Sequence, residues 1–231
     1  FGQSSFATYS VVHKNSIIRV DKDLDLDILG PLGCGIQTGA GAVLNRLKPA
    51  FGSSLVVFGC GTVGMSAIMA AHLCPCQNII AVSGNDESLK LAKELGATHG
   101  INRKTCSDVV AEIKKITGGG ADYAIDTSGV PDMVRKALAC VKFLGTAVVL
   151  GVTGDLTINV QGELMGEAKS LIGIVEGDSN PKLFIPQLIS YYKQGRFPFD
   201  RLIRVFEFDQ INEAFAASHS GKVIKALLKM R

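Results

Sequence analysis

The chain has 231 residues, 47% hydrophobic and 19% charged, with 24 basic against 21 acidic side chains. Such a composition excludes a disordered or fibrous chain, and the length suits one large domain, or one complete domain with part of another. The formal charge of +3 is scattered, without a basic block, so no nucleic-acid partner is expected. No apolar run reaches the roughly 18 residues that span a bilayer, and no signal-peptide pattern opens the sequence. No membrane partner is expected, and a cytoplasmic location is the default. The six cysteines, at 34, 60, 74, 76, 106 and 140, lack the paired spacing of a structural zinc site and are expected to be reduced thiols. The first residue is Phe1 rather than Met, and the expectation is that the start of the sequence is missing.

Residues 6–20 alternate loosely and are rich in β-branched side chains, which predicts strands. Residues 31–48 are Gly-rich at first, then carry Ala42, Val43, Leu44 and Leu47 on a short helix. From Leu55 the pattern becomes regular. Residues 55–58 form a buried strand, followed by a glycine turn and a helix through Ala71. Residues 79–82 are the next strand, and Asn85 or Asp86 caps a helix that ends at Gly96. A short strand near Gly100 and Ile101 precedes a helix over 107–117. Residues 123–126 are a strand, Pro131 opens a helix to Cys140, and 146–150 are another strand. Strands alternating with helices at this spacing predict βαβ crossovers and a parallel, doubly wound α/β sheet. Beyond Gly151, residues 156–160 and 171–175 read as strands, 184–193 and 211–217 as helices, and 223–228 as a closing strand.

Gly59-Cys60-Gly61-Thr62-Val63-Gly64 directly follows an apolar strand and opens a helix, the context that makes G-x-G-x-x-G a dinucleotide fingerprint. Gly59 permits the tight turn, Gly61 lets the backbone approach a pyrophosphate, and Gly64 lets the helix pack close, with the helix start favouring the anion. A plain strand–helix turn of a flavodoxin-like domain and a methyltransferase-type Rossmann domain are the rivals. The latter usually lacks the third glycine. About 20 residues on, an acid normally grips the ribose hydroxyls. Ser83, Gly84 and Asn85 stand there instead. A carboxylate would repel the 2′-phosphate of NADP, whereas a hydroxyl and an amide can donate to it, so the position favours NADP. NAD with a weakened ribose clamp is the alternative, since no Arg or Lys follows closely in sequence and Asp86 and Glu87 are near.

Gly33-Cys34-Gly35-Ile36-Gln37-Thr38-Gly39-Ala40-Gly41-Ala42-Val43-Leu44, the glycine turn, Leu95-Gly96-Ala97-Thr98-His99, Thr117-Gly118-Gly119-Gly120-Ala121-Asp122-Tyr123 and Thr127-Ser128-Gly129 occur in that order. Together they resemble the zinc-dependent medium-chain alcohol dehydrogenases, in particular their aryl-alcohol (benzyl-alcohol) branch, over essentially the whole chain. The resemblance implies a Rossmann domain at 36–175, with 1–35 and 176–231 as remnants of a β-rich, GroES-like catalytic domain. The family's earlier half would carry two further catalytic zinc ligands, a structural zinc loop and a proton relay. It also implies Cys34 as a zinc ligand, although a lone thiolate cannot hold zinc and a single cysteine is usually a small buried hydrophobe. His13, His72, His99 and His219 each read as structural or solvated, and Cys74-Pro75-Cys76 has no second pair.

Further roles follow from the resemblance alone. Thr38 would pack on the nicotinamide with Val63 behind it. Leu150, Gly151 and Val152 would orient the carboxamide, with backbone contacts from Ile174 and Glu176. Lys225 would reach the pyrophosphate, unless it is simply a charge on an edge strand. Thr127 to Val130 would flank the adenosine side, and Val152 and Val175 would line an inner pocket. The implied reaction is hydride transfer between a primary, aromatic alcohol or aldehyde and the cofactor, assisted by zinc, in a homodimer or homotetramer. A zinc-free quinone-reductase type of oxidoreductase is the rival enzyme. These 231 residues alone are expected to bind cofactor without turnover.

Overall fold

A computed structural model of the chain describes residues 6–230. The chain divides into two compact units, one of Gly35–Ser179 and a smaller one of the residues before and after it.

The large unit begins with helix α1 (Gly35–Gly41), which runs on as a wider turn over Ala42–Leu47. Then strand and helix alternate: β1 (Ser54–Phe58), α2 (Thr62–Leu73), β2 (Asn78–Ser83), α3 (Asp86–Glu94), β3 (His99–Asn102), α4 (Val109–Thr117), β4 (Ala121–Asp126), α5 (Pro131–Cys140), β5 (Val141–Val149) and β6 (Ser170–Gly173). All pairings are parallel and the six strands lie in the order β3-β2-β1-β4-β5-β6, the doubly wound arrangement expected from the alternation. Every residue of β1 is buried, as a central parallel strand covered on both faces requires. α2 is buried from Gly64 to Ala71 and has hardly any polar face, so it packs as an interior helix against α1.

Local chemistry sets the boundaries of the flanking helices. The Asn85 side chain accepts from the amides of Glu87 and Ser88 and starts α3. Asp108 accepts from the Ala111 amide and starts α4, which stops at Gly118 in the left-handed region (φ +70°). Pro131 is the first residue of α5. The inner face of α4, through Val109 and Ile113, joins Val56, Phe58, Ile80 and Leu138 in one buried core.

The small unit holds α6 (Pro181–Lys193), β7 (Ile203–Glu207), α7 (Ile211–His219) and β8 (Lys225–Lys229). β7 and β8 form a parallel pair, with Phe206, Ala214 and Val223 at the centre of a small core. Lys193 bridges Asp21 and Asp23, and Lys229 pairs with Asp27, tying the early residues of this unit to its late ones.

Several expectations need correction. Residues 6–20 contain no strand, only one helical turn at Lys14–Ser16. Their apolar members Phe6, Tyr9, Val11 and Ile17 are exposed and fall on no single face, and no described strand pairs with them. A strand without a neighbour has no ladder to hold it. Residues 156–159 are likewise irregular, and Val160–Leu164 is a helical turn capped by Asn159. β6 ends at Gly173, short of the predicted end at 175. β5 reaches back to Val141 across an irregularity where Leu144 takes φ +63°. β7 carried no sequence signal strong enough to predict it.

The α4 geometry gives a graded test. Ile113→Ala empties a fully buried position and is expected to cost about 2–5 kcal/mol. Asp108→Ala removes a single cap and is expected to cost about 1 kcal/mol. Urea denaturation measures both, and equal losses would contradict the packing described.

Candidate functional site

The carboxyl ends of β1, β2, β4 and β5 meet at one edge of the sheet. In this strand order the connection reverses between β1 and β4, and open α/β sheets take ligands in the crevice at that reversal. Here the chain leaves β1 through Gly59, whose φ of +101° only glycine adopts readily. Its amide donates to the Val82 carbonyl (2.9 Å), so the turn stays fastened to β2. A Cβ at residue 64 would lie 1.9 Å from the Gly59 carbonyl oxygen, so only glycine lets α2 start this close to the strand.

Gly61 behaves differently. A Cβ there meets nothing within 4 Å, and no side chain caps α2. The start of a 12-residue helix therefore opens on exposed space, with half-buried Thr62 and Val63 as its first residues. A bare backbone cradle at a long helix's positive end fits a pyrophosphate.

The second rim of this crevice comes from β4. The Thr127 hydroxyl donates to the carbonyls of Phe58 (3.0 Å) and Gly59 (3.2 Å). Thr127 thus clamps the glycine turn from the neighbouring strand, a role the sequence did not reveal. Asp126 is fully buried and accepts from the Ser128 amide and hydroxyl and from the Gly129 amide. Its own carbonyl accepts from Leu150 and Gly151, and Gly129 packs backbone to backbone on Gly151 and Val152. Thr127, Gly151 and Val152 are thereby brought to the turn's side of the sheet. Just beyond, the Thr153 hydroxyl is buried without a hydrogen-bond partner among the described residues. Val152 and Val175 are exposed, at 100% and 79%, and do not line a closed pocket within this unit.

The remaining predicted contacts divide between the units. Ser83 ends β2, and its hydroxyl accepts from the Asn85 amide (3.3 Å). Asn85 itself is spent on capping α3. No Arg or Lys follows Ser83 closely in sequence, yet the structure brings Arg103 and Lys104 from the end of β3 against Gly84. Thr38 lies on α1 and donates to Glu176 (3.4 Å), a carboxylate that also accepts from Gln37 (3.0 Å). Glu176 and Asp178 hold positive φ around Gly177, a tight left-handed corner absent from the sequence reading. In the small unit, Lys225 is half-buried on β8 and lines a cavity of about 460 Å³ with Phe6, Phe215 and Met230. Cys34, exposed, follows the turn Gly30–Gly33, its amide donating to the Pro31 carbonyl (3.3 Å).

A catalytic zinc takes three protein ligands and an open position. Among the described residues no three His, Cys, Asp or Glu gather into such a group, so these residues do not by themselves fit the metal. The histidines are placed structurally: His13 accepts from Asn15, His99 contacts Thr98, and the His72 ring packs where a Cβ on Gly96 would go.

A sequence profile of the family described as zinc-binding dehydrogenase matches residues 62–190, more than half of the chain. The chain belongs to the zinc-binding dehydrogenase family. It is 43% identical over 230 residues to a geraniol dehydrogenase of Castellaniella defragrans, covering 99% of this chain and 62% of that protein. The structure superposes on benzyl alcohol dehydrogenase of Acinetobacter calcoaceticus with a TM-score of 0.96 at 44% identity, covering 99% of this chain and 64% of the other. An alcohol dehydrogenase zinc-binding domain protein from Burkholderia ambifaria matches with a TM-score of 0.95 at 47% identity, over 99% of this chain and 62% of that one. The chain thus spans less than two thirds of the length of these relatives. No helix among the described residues is long and apolar enough to cross a membrane.

Cys60, inside the glycine turn, is a buried thiol that burial pushes up to about 12 from its ordinary 9.0, against a smaller opposing effect of the Ser83 hydroxyl. Burial does the same to Cys140, also to about 12. Both remain protonated in the folded chain where the unfolded chain would lose its protons. Their contribution to stability is therefore complete below pH 9 and falls away as pH climbs toward 12. The melting temperature is expected to drop from pH 9 to 11, less steeply in Cys60→Ala, and Cys60 should resist alkylation at pH 8 until the protein unfolds. Rapid labelling of native Cys60 would contradict this environment.

Proposed function

We propose that the protein carrying this chain is an alcohol dehydrogenase that transfers hydride between a primary alcohol or aldehyde and a nicotinamide cofactor, preferring NADP to NAD. The observation that carries the reading is the uncapped start of α2 over the open Gly61 floor, next to a β2 end that holds Ser83 where an acid would grip the ribose. The geraniol and benzyl alcohol dehydrogenases, at 43% and 44% identity, support an apolar alcohol as substrate. An aromatic one is the specific choice.

The bound nicotinamide would supply hydride-accepting chemistry at its ring C4. The chain's part is to bind and orient. Gly59, Gly61, Thr62, Val63 and Gly64 would cradle the pyrophosphate at the helix start, and Lys225 would add a charge to it. Ser83, Gly84 and Asn85 would receive the adenosine ribose, with Thr127 fixing the turn beneath. Gly151 and Val152, with the unpartnered Thr153 hydroxyl beside them, would meet the carboxamide end. Thr38 would set the ring's face, its hydroxyl held by Glu176. Holding two reactants in register converts an improbable encounter into an effectively intramolecular one, which is the main catalytic contribution open to these residues.

Cys34 would be one ligand of a zinc ion, whose further ligands the described residues do not gather around it. The edge strand β6 suits pairing with a second copy in a homodimer or homotetramer, and a cytoplasmic location completes the proposal.

Two measurements on the whole protein test it. Oxidation of benzyl alcohol should proceed with NADP in preference to NAD, and Ser83→Asp should shift that preference toward NAD by on the order of a hundredfold in kcat/KM. Preference for NAD in the unaltered protein would overturn the cofactor choice. Elemental analysis should find zinc that Cys34→Ser loses in part, and zinc unchanged by that substitution would remove Cys34 from the metal site.

A further inference from the structure

The turn after β3 is held in place by the residues at the end of β2. The Arg103 amide donates to the Ser83 carbonyl (2.9 Å). Asn102 reaches across with its side-chain amide to the Asp86 carboxylate (2.7 Å), while its Oδ1 accepts from the Lys104 amide (2.9 Å). The Thr105 and Cys106 amides close the turn on the Asn102 carbonyl, at 3.2 and 2.9 Å. Arg103 and Lys104 are thus carried on a backbone fastened to the ribose position.

Their side chains turn back over Gly84. A Cβ built on Gly84 would lie 3.0 Å from Lys104 Cε, 3.4 Å from Arg103 Nε and 3.5 Å from Arg103 Cζ. Two cations from the neighbouring strand therefore crowd the one residue of this corner that has no side chain. Asp86, at the start of α3, already accepts from Asn102, and neither cation has an ion-pair partner among the described residues. The two side chains are exposed, so their charge is open to an anion arriving at the sugar-binding strand end. A phosphate dianion matches it: the guanidinium offers a planar fork for two oxygens and the ammonium a point charge.

The geometry points to Arg103 and Lys104 as a clamp for the 2′-phosphate of NADP, lying over Gly84 and completed by the Ser83 hydroxyl. This rests on the NADP reading above and adds the residues that enforce it. Ser83 only removes the repulsion a carboxylate would exert, whereas the two cations make the phosphate a positive requirement. Gly84 has its role here too, because a side chain would compete for the volume the cations and the phosphate share.

Calorimetric titration of the whole protein with 2′,5′-ADP and with 5′-AMP tests the clamp without reference to turnover. The unaltered protein should bind 2′,5′-ADP more tightly by on the order of a hundredfold, about tenfold from each cation. The double variant Arg103→Gln with Lys104→Gln should lose most of that advantage while its 5′-AMP affinity stays unchanged, and the advantage in the unaltered protein should shrink with added salt. If the unaltered protein prefers 2′,5′-ADP and the double variant keeps the preference, the clamp is wrong while the NADP reading stands. If the unaltered protein shows no preference, the NADP reading falls and the clamp with it. Equal loss of both ligands in the variant would also overturn the clamp, since it would report general damage to the nucleotide site.

Discussion

The carbonyl oxygen of Gly59 occupies the place where a Cβ on residue 64 would have to go, 1.9 Å from it. Everything at the binding edge is arranged around that approach. Because α2 can begin so close to β1, its first turn faces the crevice and not the core. Because Gly59 bends away with φ +101°, the helix axis can point its positive end outward. The Gly59 carbonyl at this bend accepts from the Thr127 hydroxyl (3.2 Å), while the Phe58 carbonyl accepts from the Thr127 amide (2.9 Å) and lies 3.0 Å from the same hydroxyl. A carbonyl left bare in the buried part of this turn would cost about 1–3 kcal/mol. The same hydroxyl fixes β4's end relative to the turn, and through the Asp126 hydrogen bonds it fixes the Gly129 and Gly151 loops as well.

The strongest parts of this organisation were legible in the sequence because each is a local rule. The uniformly apolar run at β1 announces a strand buried on both faces, and the alternation that follows it allows little besides a parallel sheet. Glycines 59, 61 and 64 mark three different steric needs in six residues. Asn85 and Pro131 each mark a helix start within one residue of where it lies, while α4 begins at Val109, two residues after the expected start at 107. The weaker parts fail for a common reason. Residues 6–20 and 156–159 have β-rich composition, but a strand exists only if another segment supplies its hydrogen bonds, and pairing is not written in the segment itself. β7 shows the converse: Ile203–Glu207 is short, with two charged residues among its five, and is held by β8.

The candidate site divides along the same line. Contacts within one turn, such as the cradle and Ser83, were readable by spacing. Contacts made by register were not. Ser83 pairs with Asn102 across parallel strands, and that register places Arg103 and Lys104 beside Gly84 although about twenty positions separate them in the chain. In sequence, the residues just after Ser83 show no Arg or Lys and only Asp86 and Glu87, which left NAD open as the alternative to NADP. The three-dimensional neighbourhood adds positive charge, with Asp86 engaged by Asn102 and the exposed Arg103 and Lys104 side chains lying over Gly84.

Ser83 shows how such a corner stays ordered before any ligand arrives. Its carbonyl accepts from Arg103, its hydroxyl accepts from Asn85, and the buried Cys60 thiol lies against it. A thiol pushed up to about 12 by burial remains neutral at physiological pH, so it contributes packing and no negative charge. This matters for an anion site: a thiolate at that position would repel a phosphate as an aspartate at residue 83 would. Cys60 therefore adds packing and no charge to the floor of the nucleotide crevice. It leaves the helix start, and the cations above Gly84, to set the sign of what binds.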